Sequence, residues 1–282
     1  MFKDILVCLE GSPSSEAATL MAIEIARQQR AILVGMVVVD QPDICAGTPT
    51  GIGGSSFKHE RDETLLADAR AHAADWLAHF ERHCAAAGVA TGALETVGRP
   101  ADSIIAEMAR HDAIVMGRDV NFRYETQSQD SATRDKILRH TTRPVLLVPP
   151  RASAIPALLG KTVLIAYDGS KSSTHALDSF AASGLAEGRA IHVATIGDDG
   201  AKAWDVASVA VDKLGSLRIP STTHNVVSVE SPSEALIKLG RQLEAGLLVM
   251  GAFAHSRLAE LIHGSGTRDV VEHYPMTVYL QH

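Results

Sequence analysis

Short apolar runs alternate with amphipathic stretches along the whole chain. Ile5 to Leu9 reads as a strand and Pro13 to Arg30 as a helix. Ile32 to Val39 is a second strand, followed by a long helix; Val89 to Val97, Pro100 to Arg110, Ala113 to Met116 and Val145 to Val148 continue as strand, helix, strand and strand. This alternation predicts a parallel sheet with helices on both faces. On the long helix Leu66, Ala69, Ala73, Trp76, Leu77, Phe80 and Cys84 recur every three or four residues, which places Trp76 and Cys84 in the core.

The same grammar then runs a second time, through Val163 to Tyr167, Ser172 to Leu185, Ala190 to Ile196, Ala201 to Leu217, Thr222 to Val229, Pro232 to Leu243, Leu247 to Met250, Thr267 to Glu272 and Thr277 to Leu280. Individual motifs return in the same order. Gly11-Ser12 with Ser14-Ser15 recurs as Gly169-Ser170 with Ser172-Ser173, at an offset of 158 residues. Met116-Gly117 recurs as Met250-Gly251, and Thr133-Arg134-Asp135 as Thr267-Arg268-Asp269, both at an offset of 134. The second copy is therefore shorter by about 24 residues, mostly in one segment. That segment, Gln41 to about Glu60, is rich in Pro, Gly and Ser, and Gly51, Gly53 and Gly54 mark it as a mobile surface loop. Its short counterpart is Gly197 to Gly200. Residues 1–150 and 161–282 are expected as two α/β domains, with the proline-bearing stretch 151–160 as linker.

Composition narrows the classes of function. A chain of 282 residues with 46% hydrophobic and 21% charged residues is ordinary for two globular domains. No apolar run approaches the roughly 20 residues that cross a bilayer, and the first residues lack a signal peptide's apolar stretch, so no membrane role and a cytoplasmic location are expected. Cys8, Cys45 and Cys84 form no Cys-x-x-Cys pair and imply no disulfide framework. A net charge of −7 without a Lys/Arg block argues against a nucleic-acid partner. Gly160-Lys161-Thr162 is not a P-loop, since Ile155 stands where the motif needs glycine and a strand follows where one should precede. His72, His79 and His83 share one helix and read as its polar face; a zinc site there needs two more ligands. No Gly-x-Ser-x-Gly elbow is present for a serine hydrolase.

The candidate chemistry lies between Met250 and Asp269. The strand run Leu247 to Met250 ends at Gly251, the chain passes Ala254, and nine residues later Gly264-Ser265-Gly266-Thr267 leads into an expected helix. Glycines let main chain approach a ligand, and N–H groups at a helix start point at anions, so the turn suits a phosphate.

With the repeats, this motif resembles the universal stress protein family. The likeness rests on a first strand ending in Asp-Gly-Ser, a Gly-x-x-Gly-x9-Gly-Ser motif after the fourth strand, and a closing Pro-Val-Leu-Leu-Val strand. In the second half the matching residues are Tyr167-Asp168-Gly169-Ser170, Gly251, Ala254, Gly264-Ser265 and Val278-Tyr279-Leu280. In the first half they are Leu9-Glu10-Gly11-Ser12, Gly117 and Pro144-Val145-Leu146-Leu147-Val148. The resemblance covers both halves. It implies two Rossmann-like (adenine nucleotide alpha hydrolase-like) domains, each a five-stranded, mostly parallel sheet with helices on both faces. It also implies pairing through the last strands, in a homodimer or an intramolecular pseudo-dimer, and in one branch of the family the binding of ATP or AMP. Val145 to Val148 and Val278 to Leu280 would then pair with each other or across chains, removing exposed sheet edges.

The halves differ in how much of the motif they keep. The second departs only at Ala254. The first has Val120 and Asp130-Ser131 where the family has Gly and Gly-Ser. A carboxylate at a phosphate position repels the ligand, so the first half is expected to have lost this site, with Arg118 and Arg123 offering another anion a different one. In the second half Asp168 is expected to hydrogen-bond adenine or ribose, with Ala166 and Tyr167 lining the base and Ile196 closing it. Met250 and Gly251 end the fourth strand beside the nucleotide, Gly251 admitting the ribose or α-phosphate. Gly264, Ser265, Gly266 and Thr267 supply donors to the phosphates, and Lys171, His255 and Arg257 are the nearby cations. Helix capping alone would also account for Asp168, Ser265 and Thr267, and plain exposure for His255 and Arg257. The expected cofactors are ATP and Mg²⁺. No carboxylate is placed to activate water against the γ-phosphate, so any hydrolysis is expected to be slow. One rival reading is a nucleotide-independent interaction protein with both sites vestigial. Another is an adenylating relative, whose signature Asp168-Gly169-Ser170-Lys171 does not match.

Overall fold

The computed structural model describes residues 1–46, 55–120, 132–150, 159–228, 230–252 and 265–282. The first half contains strands β1 (Asp4–Cys8), β2 (Ile32–Val39), β3 (Thr91–Val97), β4 (Ala113–Gly117) and β5 (Val145–Val148). Its helices are α1 (Pro13–Gln29), α2 (Gln41–Ile44), α3 (Ser55–Ala86), α4 (Pro100–Met108) and α5 (Ala132–His140). The second half repeats the order with β6 (Thr162–Ala166), α6 (Lys171–Ser183), β7 (Ala190–Gly197), α7 (Gly200–Ser216), β8 (Ser221–Val227), α8 (Pro232–Gln242), β9 (Leu247–Gly251), α9 (Ser265–His273) and β10 (Thr277–Gln281).

Local chemistry sets the helix ends. Ser12 and Ser170 cap α1 and α6, each hydroxyl accepting the N–H three residues on, from Ser15 and Ser173 at 3.1 Å. Ser231 and Glu234 form a reciprocal capping box on α8, with Pro232 in its first turn. The segment from Gln41 to Glu60, expected as a loop, departs from its reading at both ends. Asp40 accepts the Asp43 N–H at 3.1 Å and starts the one-turn α2, while Ser55 to Glu60 already belong to α3. Gly51, Gly53 and Gly54 lie outside the described residues.

All ten strands form one sheet in the order β3-β2-β1-β4-β5-β10-β9-β6-β7-β8. Within each half every pairing is parallel, and after its third strand the chain crosses back over the first to lay the fourth beside it, a doubly wound topology. The halves meet where β5 pairs antiparallel with β10, Leu146 opposite Tyr279 and Leu147 opposite Val278. The expected pairing of last strands thus occurs within one chain. Because that pairing is antiparallel, the carboxyl ends of the two sets of strands open at opposite ends of the molecule.

Each face of the sheet carries one continuous apolar layer. On one face α1, α3, α6 and α7 cover Ile5, Val7, Ile165 and Val249; on the other α4, α5, α8 and α9 cover Leu6, Met116, Leu164 and Leu248. Cys84 is fully buried and Trp76 packs against the same layer, as their helical spacing predicted. Gly11, at φ +77°, lies under the indole: a Cβ there would sit 2.4 Å from the Trp76 ring. Side chains also cross between the halves. Arg118 donates to the Tyr274 carbonyl at 2.7 Å, Arg268 pairs with Asp135 at 2.5 Å, and Gln281 donates to the Thr142 carbonyl at 3.2 Å. Arg118 is therefore engaged in joining the halves, not held out for an anion; Arg123 lies outside the described residues. No helix among the described residues is long and apolar enough to cross a membrane.

If the β5–β10 pairing supports both halves, Leu146→Asp buries a carboxylate at the seam and should lower the unfolding free energy by about 3 kcal/mol or more. Urea denaturation followed by circular dichroism measures it; a loss under about 1 kcal/mol, within surface-substitution behaviour, would show that the seam is dispensable.

Candidate functional site

In an open α/β sheet the crevice forms where neighbouring strands send their connections to opposite faces, here between β6 and β9. A cleft lies there, lined by Ala166, Ala194, Ile196, Leu236 and Met250, with Asp168 and the first turn of α6 at its polar side. The sequence predicted Ala166, Tyr167, Asp168, Ile196, Met250 and Gly251 for this place, and the structure brings all six to the cleft. Ala194 and Leu236 were missed. Ala194 follows from the parallel register that sets it beside Ala166; Leu236 follows from the packing of α8 over that face.

The individual roles differ in detail. Asp168 Oδ1 accepts the Ser170 N–H at 3.0 Å, which fixes the carboxylate by an Asx-type turn. The Tyr167 ring packs into the apolar layer under α6, its hydroxyl 3.3 Å from Thr174 Oγ1. The residue therefore offers the cleft its main chain, which Thr195 holds by donating to the Tyr167 carbonyl at 2.7 Å. Gly251 borders the cleft, but its missing side chain is first of all a packing requirement: a Cβ would lie 2.7 Å from the main chain of Ser172 and Ser173. Gly117 meets Ser14 in the same way in the first half.

Ser265, Gly266 and Thr267, expected to meet phosphates, form the first turn of α9, where N–H groups have no intrahelical partner. Thr267 Oγ1 is buried and has no hydrogen-bond partner among the described residues. Ala254, His255, Arg257 and Gly264 lie outside the described residues, and Lys171 is exposed at the start of α6.

The same crevice in the first half is filled. Cys8 stands at the position of Ala166, Met36 at that of Ala194 and Met116 at that of Met250, and all three are fully buried. Ile104 and Val120, which in the sequence repeat correspond to Leu236 and Ala254, are buried in the same layer. Glu10, in place of Asp168, accepts a hydrogen bond from the Ser12 hydroxyl. Burial, with Glu10 nearby, pushes the Cys8 thiol up to about 12. Asp130 and Ser131 lie outside the described residues.

A further feature escaped the sequence. His192 on β7 and His224 on β8 approach with Nδ1 and Nε2 2.9 Å apart, one ring donating its N–H to the other. Burial and the neighbouring His224 hold His192 below its ordinary value.

The family model for the universal stress protein family matches residues 1–149 and again 160–281. Universal stress protein Slr1230 from Synechocystis sp. (strain ATCC 27184 / PCC 6803 / Kazusa) is 27% identical over 160 residues, 57% of this chain and 54% of its own length, so the chain spans about half of that curated relative. A universal stress protein structure from Archaeoglobus fulgidus DSM 4304 covers 99% of this chain and 95% of its own at 19% identity, with a TM-score of 0.69. A putative universal stress protein from Pseudomonas aeruginosa UCBPP-PA14 covers 99% and 93% at 15% identity, with a TM-score of 0.54. These structures are alike in fold over both halves.

The filled crevice makes a chemical prediction. The thiolate is the reactive form, so at pH 8 Cys8 and Cys84, both buried with raised thiol pKa values, should resist a maleimide or iodoacetamide in the native protein while the partly exposed Cys45 reacts. Peptide mass spectrometry of native against urea-unfolded samples reads this; rapid native labelling of Cys8 would mean that the first crevice opens.

Proposed function

The chain belongs to the universal stress protein family as two tandem copies, and on that premise we propose that its second half binds an adenine nucleotide, ATP with a divalent ion, as a stress-response signal. The first half is a degenerate partner that completes a pseudo-dimer. In this reading residues 1–150 and 161–282 are the two domains and 151–160 is their linker.

One observation carries the reading: a single crevice type is kept open in the second half and packed shut in the first. Ala166, Ala194, Ile196, Leu236 and Met250 give an apolar wall suited to a flat base, and Asp168 supplies an acceptor for the adenine or ribose edge. The polar end asks for a partner as well. The Thr267 hydroxyl, buried without a hydrogen-bond partner among the described residues, and the first-turn N–H groups of α9, which a helix cannot satisfy internally, are donors that suit phosphate oxygens. Among the described residues no three His, Cys, Asp or Glu side chains converge as a metal site, so a divalent ion would arrive on the phosphates. Bound in this way, ATP supplies a charged, exchangeable ligand, and the residues of the cleft bind and orient it.

We assign binding rather than fast turnover. Asp168 is the one carboxylate among the described lining residues, and its hydrogen bond to Ser170 belongs to the β6–α6 turn. General-base activation of a water against the γ-phosphate has no described residue to perform it.

The test is isothermal titration of nucleotide-stripped protein with ATP and Mg²⁺, together with mass spectrometry of whatever copurifies. One site per chain is expected. Ala194→Met introduces the residue that the first half carries at that position and should abolish binding while leaving the melting temperature near that of the parent. Asp168→Ala should weaken binding about tenfold or more, the value of a lost charged hydrogen bond. Absence of binding and of copurified nucleotide would overturn the reading in favour of an interaction protein that works without nucleotide.

A further inference from the structure

His192 and His224 are 32 positions apart in sequence and meet only because β7 and β8 pair in register, Ala194 opposite His224 and His192 opposite Thr222. Both side chains are half-buried on the sheet face that carries the cleft. Among the described residues the hydrogen bond of each ring is to the other. The fold does not require them. The corresponding positions of the first half are Val34 and Leu94, placed by the same register, and both pack as apolar residues against the layer beneath.

We propose that His192 and His224 form a two-imidazole site for a first-row transition-metal ion of the Cu²⁺, Ni²⁺ and Zn²⁺ class, with water completing the coordination. Imidazole nitrogens bind such ions at about 2.0–2.1 Å. At those bond lengths the observed 2.9 Å separation corresponds to an angle at the metal near 90°, the cis angle of square-planar or octahedral coordination. A tetrahedral ion needs the nitrogens a few tenths of an ångström further apart. The rings, inclined at 53° with centroids 5.0 Å apart, reach a converging arrangement by rotation about χ2, a soft torsion for histidine. The ligands sit on neighbouring strands of a sheet, so their main chain is already ordered and little entropy is lost on chelation. Neutral imidazole is the ligating form. No third His, Cys, Asp or Glu joins them among the described residues, which makes the site open and its ion exchangeable. Because Ala194 lies directly opposite His224, a bound ion would tie β8 to the strand that walls the cleft.

The experiment uses the full chain without an affinity tag and without nucleotide. His79 and His83 on α3, with ring centroids 4.2 Å apart, are a second possible chelate, so both are replaced by alanine in the parent for titration. Equilibrium dialysis and calorimetry with Cu²⁺, Ni²⁺ and Zn²⁺ should then give one ion per chain, tightest for Cu²⁺. The melting temperature should rise with ion concentration, as binding to the folded state requires. His192→Val and His224→Leu, taken from the first half's own positions, should each weaken binding at least tenfold and together remove it. A readout independent of variant folding is the histidine ring NMR spectrum of the unsubstituted chain, in which Cu²⁺ should broaden the His192 and His224 signals at substoichiometric ion. Unchanged stoichiometry and affinity in the double variant, no binding in the parent, or broadening confined to other histidines would overturn the proposal.

Discussion

The antiparallel pairing of β5 with β10 is the constraint from which the architecture follows. Each half alone is a parallel sheet ending in a short strand whose residues are buried to the last atom, Val145 to Val148 in one and Thr277 to Leu280 in the other. Such a strand presents unpaired N–H and C=O groups in an apolar setting, each costing about 1–3 kcal/mol if left unmet. Pairing the two satisfies both edges at once. It also sets a pseudo-twofold axis normal to the sheet, which keeps equivalent helices on the same face while reversing strand direction. The two Thr-Arg-Asp repeats, on α5 and α9, are drawn together across that axis, and the repeat then breaks its own symmetry. Arg268 reaches Asp135 across the seam, whereas Arg134 pairs with its neighbour Asp135 and with Glu272.

Symmetry of backbone leaves the two crevices free to differ in side chains. The glycine ending the fourth strand is kept in both halves, at Gly117 and Gly251, although only one crevice is open. Its reason is common to both: the first turn of α1 or α6 lies where a Cβ would be, against main chain that cannot move aside. The glycine therefore says nothing by itself about a ligand. The distinction lies on the strands beside it, where Cys8 and Met36 fill the space that Ala166 and Ala194 leave. A methionine is unbranched and adaptable, well suited to filling an irregular gap, and one such side chain closes the floor of the first crevice.

Much of this was legible in the sequence because it is carried by local pattern. Buried strands read as apolar runs, the long helix as apolar residues every three or four positions, and the repeat supplies a second copy of the strand-and-helix alternation. The segment from Gln41 to Glu60 was misread where its proline and glycine content outweighed local signals: Asp40 as a cap, and a helix that begins at Ser55, before its apolar spacing becomes regular at Leu66. Of the cleft, the residues at strand ends were found because topology places a ligand crevice there. Ala194 and Leu236 were not, since a small or ordinary apolar residue gives no signal until register and packing are known. The role of Tyr167 was half seen: strand alternation turns its ring away from the cleft that its main chain borders.

The histidine pair marks the limit of sequence reading most clearly. His72, His79 and His83 drew notice because helical spacing is visible along one segment, while His192 and His224 belong to different strands and become neighbours only through parallel register. The first half then acts as an internal control that no single-domain protein offers. Its Val34 and Leu94 occupy the same two positions on the same kind of sheet, so the pair is a feature added to a fold that stands without it. Replacing two apolar contacts with two half-buried imidazoles forfeits hydrophobic burial, a cost to stability. A hydrogen bond between the rings returns only about 1 kcal/mol of that loss. An ion held by both rings in the folded state would add stability that the hydrogen bond alone does not, which is why we read the pair as a ligand site.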